Sequence, residues 1–261
     1  MKIHVVKMGG RLIHDKKLLN ISISYFCKLK GSKILVHGGG SKADYFLDQM
    51  NIPKKIIQGR RITDKTTLDI VVMTYAGVLN KNIVSLLQYY HCNAIGLCGA
   101  DGNCIKSYIR EKVNDINYGY VGDIKESKDI NTNFIKLLLR NNITPVFCSI
   151  THDGMGNLLN TNADTIASNI AVSLSKQKCS IELHFCFDKI GVLRKIDDSN
   201  SYFRKINFSL FQEIIQNNFV FGGMIPKLEN AFFALKNGVS KVSIGLPNYL
   251  MDSSKKTILC L

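Results

Sequence analysis

A short apolar run that ends in three consecutive glycines constrains the fold of this chain more than any other feature. Residues 34–36 read Ile-Leu-Val, and such a run of branched apolar residues predicts a buried strand. Glycines 38–40 follow shortly after it, and Ser41 is predicted to cap the next helix. Glycine lets backbone N–H groups approach a ligand, and a helix N-terminus adds positive partial charge. The segment therefore predicts a phosphate or carboxylate site, although a tight turn that binds nothing would also use glycine.

The composition is that of a soluble globular protein. The chain has 261 residues, 46% of them apolar and 21% charged, which is enough to bury a large core in one domain or two lobes. No apolar run approaches the ~20 residues that span a bilayer, and residues 1–7 lack the apolar stretch of a secretory signal. The eight cysteines form no C-x-x-C pair, which favours buried thiols in a reducing compartment. We therefore expect a cytoplasmic protein with no membrane partner.

The net charge of +14 comes mostly from lysines that are scattered along the chain. No block of about five to eight basic residues concentrates this charge, and aromatic residues are not interleaved with it as in a platform for stacking bases. A bias toward Lys, Asn and Ile explains the charge as well as a nucleic-acid partner would. We expect no nucleic-acid partner, while the positive charge can attract anionic substrates.

Strand and helix patterns alternate along the chain. The clearest predicted strands are residues 3–7, 34–36, 94–97, 144–150 and 181–187. Their alternation with helical patterns predicts an α/β fold with an open, mostly parallel central sheet and helices on both faces. A long helical pattern begins at Thr63-Asp64, and Gly77 is expected to divide it into two helices. An N-terminal lobe of residues 1–170 and a C-terminal lobe of residues 171–261 are expected, on one continuous sheet.

Two further glycine-rich turns each carry a lysine. Lys7 precedes Gly9-Gly10 at the end of the first predicted strand, and Lys227 follows Gly222-Gly223 where a helix begins. In phosphoryl transfer, negative charge is spread over the oxygens of the transferring group, and fixed positive groups and hydrogen-bond donors must stabilise it. Lysines and backbone N–H groups can do so. The chain has no G-x-x-x-x-G-K-[ST] P-loop. The alternative interpretation for Lys7 is that it is simply a solvated lysine at the end of a strand.

Three other polar positions could carry chemistry. In the segment Asn160-Thr-Asn-Ala-Asp164, either Asn162 or Asp164 could cap a helix, or the amides could hold a substrate while Asp164 positions the lysines. The pair Arg60-Arg61 could grip carboxylates or lie in solvent. Asp188, after a predicted strand, could cap a helix, bind a nucleotide or do neither.

Taken in order, these motifs resemble those of N-acetylglutamate kinases, a branch of the amino-acid kinase family. The motifs are Lys7-Met-Gly-Gly, Val36-His-Gly-Gly-Gly, Gly59-Arg-Arg-Ile-Thr-Asp, Asn80-Lys, Gly99-Ala-Asp-Gly, Asn160-Thr-Asn-Ala-Asp and Gly222-Gly-Met-Ile-Pro-Lys. The resemblance covers about residues 3–245. It implies a three-layer α/β/α sandwich with the amino-acid substrate on the N-terminal lobe and ATP on the C-terminal lobe.

The same resemblance implies an activity. It predicts transfer of the ATP γ-phosphoryl group to the side-chain carboxylate of an N-acylated glutamate, N-acetyl-L-glutamate, giving an acyl phosphate in arginine biosynthesis. Mg²⁺ would arrive with ATP and be held largely by the phosphates, so no protein ligand for a metal is predicted.

Residue roles follow from the matching positions. The resemblance implies that Lys7 and Lys227 stabilise the transferring phosphoryl group, that Asp164 organises them, and that Gly10 and Gly39 offer N–H groups to its oxygens. The substrate-binding positions it implies are Gly39, Gly40, Arg61 and Asn160. The nucleotide-binding positions it implies lie within residues 188–193, at Asp188, Lys189, Gly191 and Leu193.

Two departures from the family pattern matter. Phe187 stands before Asp188 where Thr or Ser is common. Arg60 stands where leucine is usual, and its extra guanidinium could meet an additional carboxylate. We therefore hypothesise that the acyl group is succinyl rather than acetyl, with Arg60 as a further substrate-binding residue, against the alternative that Arg60 points to solvent.

The resemblance also predicts an oligomeric state and leaves two other functions open. The first strand begins at Ile3, so we expect a homodimer without feedback inhibition by arginine, rather than a hexamer built on an extra N-terminal helix. A sister kinase of the same fold could act on another carboxylate or phosphate. A basic nucleic-acid-binding relative without turnover is the third possibility.

Overall fold

The computed structural model describes residues 1–57, 60–195, 198, 201–217, 219 and 223–261. Two motif glycines, Gly59 and Gly222, lie outside the described residues. Within the described part the strands are β1 (Lys2–Met8), β2 (Ser32–His37), β3 (Ile56–Ile57), β4 (Arg60–Arg61), β5 (Ala94–Leu97), β6 (Tyr108–Ile109), β7 (Val121–Asp123), β8 (Thr144–Cys148), β9 (Ile150–His152), β10 (Leu158–Thr161), β11 (Ser180–Cys186), β12 (Lys205–Ile206), β13 (Lys241–Gly245) and β14 (Thr257–Leu259). The α-helices are α1 (Arg11–His14), α2 (Lys16–Lys28), α3 (Gly40–Gln49), α4 (Lys65–Val72), α5 (Asn80–Tyr89), α6 (Thr132–Arg140), α7 (Ala163–Ser175), α8 (Phe208–Gln216) and α9 (Met224–Lys236).

Eight of these strands form the central sheet, in the order β12-β14-β13-β11-β1-β2-β8-β5. The six strands from β13 to β5 run parallel, while β14 is antiparallel to β13. The central strands are apolar on both faces, because helices cover both. The predicted α/β fold with a mostly parallel sheet is confirmed.

Two apolar cores lie on the two faces of this sheet. Ile3 and Val5 of β1 pack into a core with α6, α7, α8 and α9. Val6 and Met8, which point the other way, pack into a core with α2, α3, α4 and α5. The molecule is therefore the three-layer α/β/α sandwich that the family resemblance implied.

Helices α4 and α5 belong to one continuous helix, because the π-helical segment Met73–Leu79 joins them without a break. The predicted division at Gly77 was therefore wrong. This helix, Lys65–Tyr89, is long and apolar enough to cross a membrane by length and composition alone. A core helix meets the same two criteria, and here Val71, Leu79 and Ile83 pack in the second core.

Smaller elements position the loops above the sheet. A four-stranded sheet in the order β6-β7-β10-β9 carries Asn160 on β10, and the β3-β4 hairpin carries Arg60 and Arg61. The predicted strand over residues 144–150 is divided at Ser149 into β8 and β9, which belong to different sheets. The expected lobe boundary near residue 170 falls inside α7.

Candidate active site

A cavity of about 600 Å³ lies where β1, β2 and β11 end. Strand β1 lies between the other two in the sheet. The chain continues from β1 to β2 on one side, and β11 pairs with β1 on the other side. Open α/β sheets bind ligands at such a point, outside the carboxyl ends of the strands. The predicted site residues that line the cavity are Lys7, Gly10, Gly39, Gly40, Arg60, Arg61, Asn160, Asp164, Asp188 and Lys227.

Two lysines from distant parts of the chain meet on one carboxylate in this cavity. The Lys7 ammonium lies 2.8 Å from Oδ1 of Asp164. The Lys227 ammonium lies 3.2 Å from Oδ1 and 3.0 Å from Oδ2 of the same side chain. All three residues are less than a tenth exposed. The structure thus brings together the three groups that the glycine-lysine turns and the Asn160–Asp164 segment singled out.

The electrostatics of this triad keep Asp164 ionised. Burial raises the pKa of Asp164, but the Lys7 and Lys227 charges outweigh it and bring that pKa to about 2. Burial, together with repulsion from Lys7, lowers the pKa of Lys227. One carboxylate therefore holds two buried cations that would otherwise repel each other, leaving a net positive charge at the cavity floor.

Asn162, not Asp164, caps helix α7. Its side-chain oxygen accepts hydrogen bonds from the backbone N–H groups of Asp164 and Thr165, at 2.8 and 3.1 Å. This decides between the two capping alternatives, and it leaves the Asp164 carboxylate free to contact both lysines. Asp164 also sits in the first turn of the helix, where a negative charge is stabilised by the helix dipole.

The glycine turns bring backbone close to these charges. Gly10 has φ 57°, in the left-handed region that glycine favours, and it precedes α1. A Cβ on Gly9 would overlap the Lys7 ammonium, so that position must be small for Lys7 to reach Asp164. Gly39 caps the N-terminus of α3, and no side chain caps this helix. The prediction that Ser41 is the cap was wrong, since Ser41 lies in the first turn of α3.

The Arg61 guanidinium is fixed by an ion pair, and one of its nitrogens makes no hydrogen bond among the described residues. Its Nη2 lies 2.7 Å from Oδ1 of Asp44, and its side chain is 7% exposed. Its Nη1 is buried and has no hydrogen-bond partner among the described residues. A buried unpaired guanidinium nitrogen at a cavity wall suits a ligand carboxylate.

Arg60 and Asn160 lie on the same wall. Arg60 is half-buried, and burial, together with the nearby Arg110 guanidinium, lowers its pKa. The Asn160 amide donates to Oγ1 of Thr63 at 3.0 Å, which fixes the orientation of its carbonyl oxygen. Arg60 lines the cavity together with Arg61 and Asn160.

The glycine loop is supported from below by a buried histidine. Nδ1 of His37 lies 2.8 Å from the carbonyl oxygen of Gly38, and the Asn80 amide lies 3.1 Å from its Nε2. Burial lowers the pKa of His37 to about 4, so the ring is neutral at pH 7 and donates through Nδ1. Asn80 also donates to the carbonyl of Val146, which ties the loop to β8.

The structure separates the predicted nucleotide-binding positions. Asp188 lines the cavity, as does Phe187. Lys189 is exposed, Gly191 is buried and Leu193 is half-buried, and none of the three lines the cavity. A Cβ on Gly191 would meet Oγ1 of Thr257 at 2.5 Å, so this glycine has a packing role.

Several residues of the cavity wall were not predicted from the sequence. Asp44, Tyr75, Ser149 and Met224 all line it. Asp44 could have been found from its position four residues after Gly40, which places it one helical turn on. Tyr75 lies in the long helical pattern that begins at Thr63-Asp64, and only the tertiary structure shows that it also lines the cavity.

Comparison with known proteins agrees with this geometry. The chain matches the model of the amino acid kinase family over residues 2–245. An acetylglutamate kinase of Phocaeicola vulgatus is 43% identical over 257 residues, 98% of each chain. One from Bacteroides fragilis is 44% identical over 245 residues, 94% of this chain and 92% of the relative. The crystal structure of smu.665 from Streptococcus mutans UA159 covers 98% of both chains, with a TM-score of 0.79 at 27% identity. With matches this complete, as the ordered motifs predicted, the chain belongs to the amino acid kinase family.

Proposed function

We propose that this protein transfers the γ-phosphoryl group of ATP to the side-chain carboxylate of N-acetyl-L-glutamate, making an acyl phosphate in arginine biosynthesis. The acetylglutamate kinases that it resembles over nearly its whole length support this reaction. The observation that carries the proposal is the meeting of two buried lysines on Asp164, beside the glycine turns of the cavity.

The reaction joins two anions, so the protein must supply positive charge. A side-chain oxygen of the substrate attacks the γ-phosphorus, an O–P bond forms, and the bond from that phosphorus to the bridging oxygen of ADP breaks. The acceptor carboxylate is ionised at neutral pH, so no base has to remove a proton. Lys7 and Lys227 stabilise the charge on the transferring group, and the N–H groups of Gly10 and Gly39 bind its oxygens. Asp164 positions both lysines.

The opposite wall binds the amino-acid part of the substrate. Nη1 of Arg61 donates to its α-carboxylate, and Asn160 and the backbone of Gly39 and Gly40 contact the rest. In this arrangement the N-terminal lobe, residues 1–170, binds the amino acid, and residues 171–261 bind ATP. Asp188 lines the cavity and is the proposed start of the nucleotide site, while Lys189, Gly191 and Leu193 lie outside the cavity lining and would act through the segment that positions Asp188. Mg²⁺ enters on the ATP phosphates, which are its usual ligands in kinases.

Arg60 supports N-succinyl-L-glutamate as a second candidate substrate. Burial and the Arg110 charge lower the pKa of Arg60, while Asp123 and Glu229 act in the opposite direction, and an extra substrate carboxylate would add to their effect. The test compares kcat/KM on the acetyl and succinyl substrates, in wild type and in Arg60→Ala. A succinyl enzyme would prefer the succinyl substrate and lose that preference in Arg60→Ala. Equal or better use of the acetyl substrate by wild type would exclude it.

We further propose a cytoplasmic homodimer with no nucleic-acid or membrane partner. Strand β5 is the last strand of the central sheet, and Ile95 on it is exposed, so this edge can pair with a second copy. A dimer formed there would leave the cavity accessible, because β5 contributes nothing to its lining.

Trapping of the acyl phosphate with hydroxylamine tests the activity. Wild type should form hydroxamate from N-acetyl-L-glutamate and MgATP, and Lys7→Ala and Lys227→Ala should lose about 10²–10³-fold in kcat. Lys17→Ala, an exposed lysine of α2, is the matched control and should keep full activity. Full activity in both cavity variants would overturn the assigned roles.

This assay and a DNA-binding measurement separate the two alternative functions. Hydroxamate formed only from another acceptor would indicate a sister kinase. A salt-dependent complex with DNA, without ATP consumption, would indicate a nucleic-acid-binding relative without turnover.

A further inference from the structure

Two histidines and a glutamate form a compact cluster on the face of the central sheet opposite Lys7. His4 lies on β1, and Glu182 and His184 lie two residues apart on β11. Because successive residues of a strand point to opposite faces, His4 is directed away from Lys7, and Glu182 and His184 share one face. The strands are hydrogen-bonded neighbours with His4 in register with Glu182, so a rigid sheet fixes all three.

The three potential ligand atoms are spaced as they would be around one small cation. Nδ1 of His4 lies 3.3 Å from Nε2 of His184. Oε2 of Glu182 lies 3.5 Å from the first nitrogen and 3.6 Å from the second. A point equidistant from the three atoms lies about 2.0 Å from each, the length of a Zn–N or Zn–O bond.

The surroundings orient the ligands as metal sites do. Nδ1 of His184 lies 2.8 Å from Oγ of Ser243, and donation through Nδ1 directs the lone pair of Nε2 toward His4 and Glu182. Both imidazoles are almost completely buried, while the Glu182 side chain is 20% exposed and leaves a path from solvent.

Nearby lysines are engaged by other acceptors. The Lys2 ammonium binds the other oxygen of Glu182, Oε1, at 2.9 Å, which leaves Oε2 facing the histidines. Lys256 donates to the carbonyl of Leu250 at 2.8 Å. Lys33 donates to carbonyls at the end of α2. These charges weaken the binding of a cation, but none of the three ammonium groups occupies the space between the ligand atoms.

We propose that His4, Glu182 and His184 bind one Zn²⁺ ion per chain, with water completing the coordination. Two imidazoles and a carboxylate are a donor set that Zn²⁺ accepts readily. The ion would join β1 to β11 on the face away from the phosphoryl-transfer site. Its expected effect is therefore on stability, by linking the strands that carry Lys7 and lead to Asp188.

Metal titration of the chelator-treated full-length protein tests this site. Isothermal titration with Zn²⁺ should give one equivalent per chain. Glu182→Gln and His184→Asn should each weaken binding by at least about tenfold, and Ser243→Ala by a smaller factor. His14→Asn, an exposed histidine on α1, is the control and should bind as wild type. Zn²⁺ should raise the melting temperature of wild type and not that of Glu182→Gln.

A Co²⁺ spectrum separates this site from the cysteines. Cys27, Cys92 and His91 line a second cavity, and the two thiols are the competing ligands to exclude. The proposed site predicts ligand-field bands without thiolate charge transfer, unchanged in Cys92→Ser. Loss of metal binding in Cys92→Ser, or unchanged metal binding in Glu182→Gln, would overturn the proposal. His4, Glu182 and His184 would then be joined by hydrogen bonds alone. If His184→Asn fails to fold by circular dichroism, Glu182→Gln carries the test, because the Glu182 side chain is partly exposed.

Discussion

Asp164 has a structural task that is separate from any contact with substrate. It is the carboxylate on which two buried ammonium groups meet, and its pKa of about 2 keeps it charged at any working pH. A buried ion pair often adds little net stability, but removing one partner leaves the other charge without compensation. The three side chains are therefore best understood as one unit.

Replacing Asp164 should destabilise the fold as well as the site. Asp164→Asn leaves two buried ammonium groups without their carboxylate, and we expect the free energy of unfolding to fall by roughly 3–5 kcal/mol. Urea unfolding measures this change. Asp69→Asn removes one side of the exposed Lys65–Asp69 pair and should cost less than about 1 kcal/mol. If both variants lost the same free energy of unfolding, burial of the Asp164 ion pairs could not be the cause of the larger expected loss.

His37 should make the fold sensitive to acid. Its pKa is about 4 in the folded protein and about 6.5 in the unfolded chain, so between these values protons bind preferentially to the unfolded chain. The free energy of unfolding should fall as the pH is lowered from about 6.5 to 4, by up to roughly 3 kcal/mol from this residue. His37→Gln should show a shallower fall over the same range in urea titrations. An unchanged slope would mean that His37 is protonated in the folded protein.

For single residues, the sequence predicted the charged groups of the site better than it predicted the other residues that line the cavity. Lys7, Lys227 and Asp164 stand beside glycines or amides, which is a local signal. The role of Asp44 as the partner of Arg61 depends on α3 meeting the β3-β4 hairpin, and nothing near either residue in the sequence indicates that contact.

The N-terminus of α3 is set by packing rather than by a capping side chain. A Cβ on Gly39 would lie 2.5 Å from Leu79 and 2.7 Å from Tyr75, both on the π-helical segment. The close approach of the two helices therefore requires glycine here. This is why the sequence rule for caps failed at Ser41, while the same rule would have found Asn131 and Asn207, which do cap α6 and α8.

Gly39→Ala should consequently disturb substrate binding. The added methyl group must push α3 away from Tyr75, which moves the glycine turn in the cavity, and we expect KM for N-acetyl-L-glutamate to rise at least about tenfold. Steady-state kinetics measures it. Gly77→Ala, on the exposed side of the π-helical segment where a Cβ meets nothing within 4 Å, is the control. It should keep KM and gain about 0.5–1 kcal/mol of stability. An unchanged KM in Gly39→Ala would show that the turn tolerates the shift.

The long helix shows where local propensity loses to tertiary packing. Gly77 costs about 1 kcal/mol in a helix interior, so a break there was a reasonable expectation. The segment stays helical because Thr74, Tyr75 and Leu79 are buried on its inner face. The pattern of apolar residues along one face was the better predictor.

Across the whole molecule, the order of the central strands could be predicted only in part. The parallel class followed from the alternation of strands and helices. The short strands β12 and β14 were not predicted, because two or three residues carry no pattern of their own. They form through pairing with their neighbours, with Lys205 of β12 opposite Ile258 of β14, and both run antiparallel to β13.

The proposed dimer makes a prediction at this scale. The chain mass is 29.2 kDa, and light scattering should give about twice that value for the homodimer. Ile95→Lys places a charge on the exposed face of edge strand β5 and should shift the protein toward monomer. Lys205→Glu, on the opposite edge at β12, should leave the dimer intact. A monomeric wild type, or dissociation by the second variant only, would contradict pairing at β5.

Strand β1 leaves the ribosome before both of its neighbours in the central sheet, and β11 follows it much later than β2 does. Its partner β2 follows after about 24 residues, but the partner of its other edge is residues 180–186. During synthesis at about 5–20 residues per second, that edge stays open for many seconds. A nascent chain with an unpaired apolar strand edge is prone to aggregate. Slower translation should therefore lower the yield of native protein even though the stability of the folded protein is unchanged.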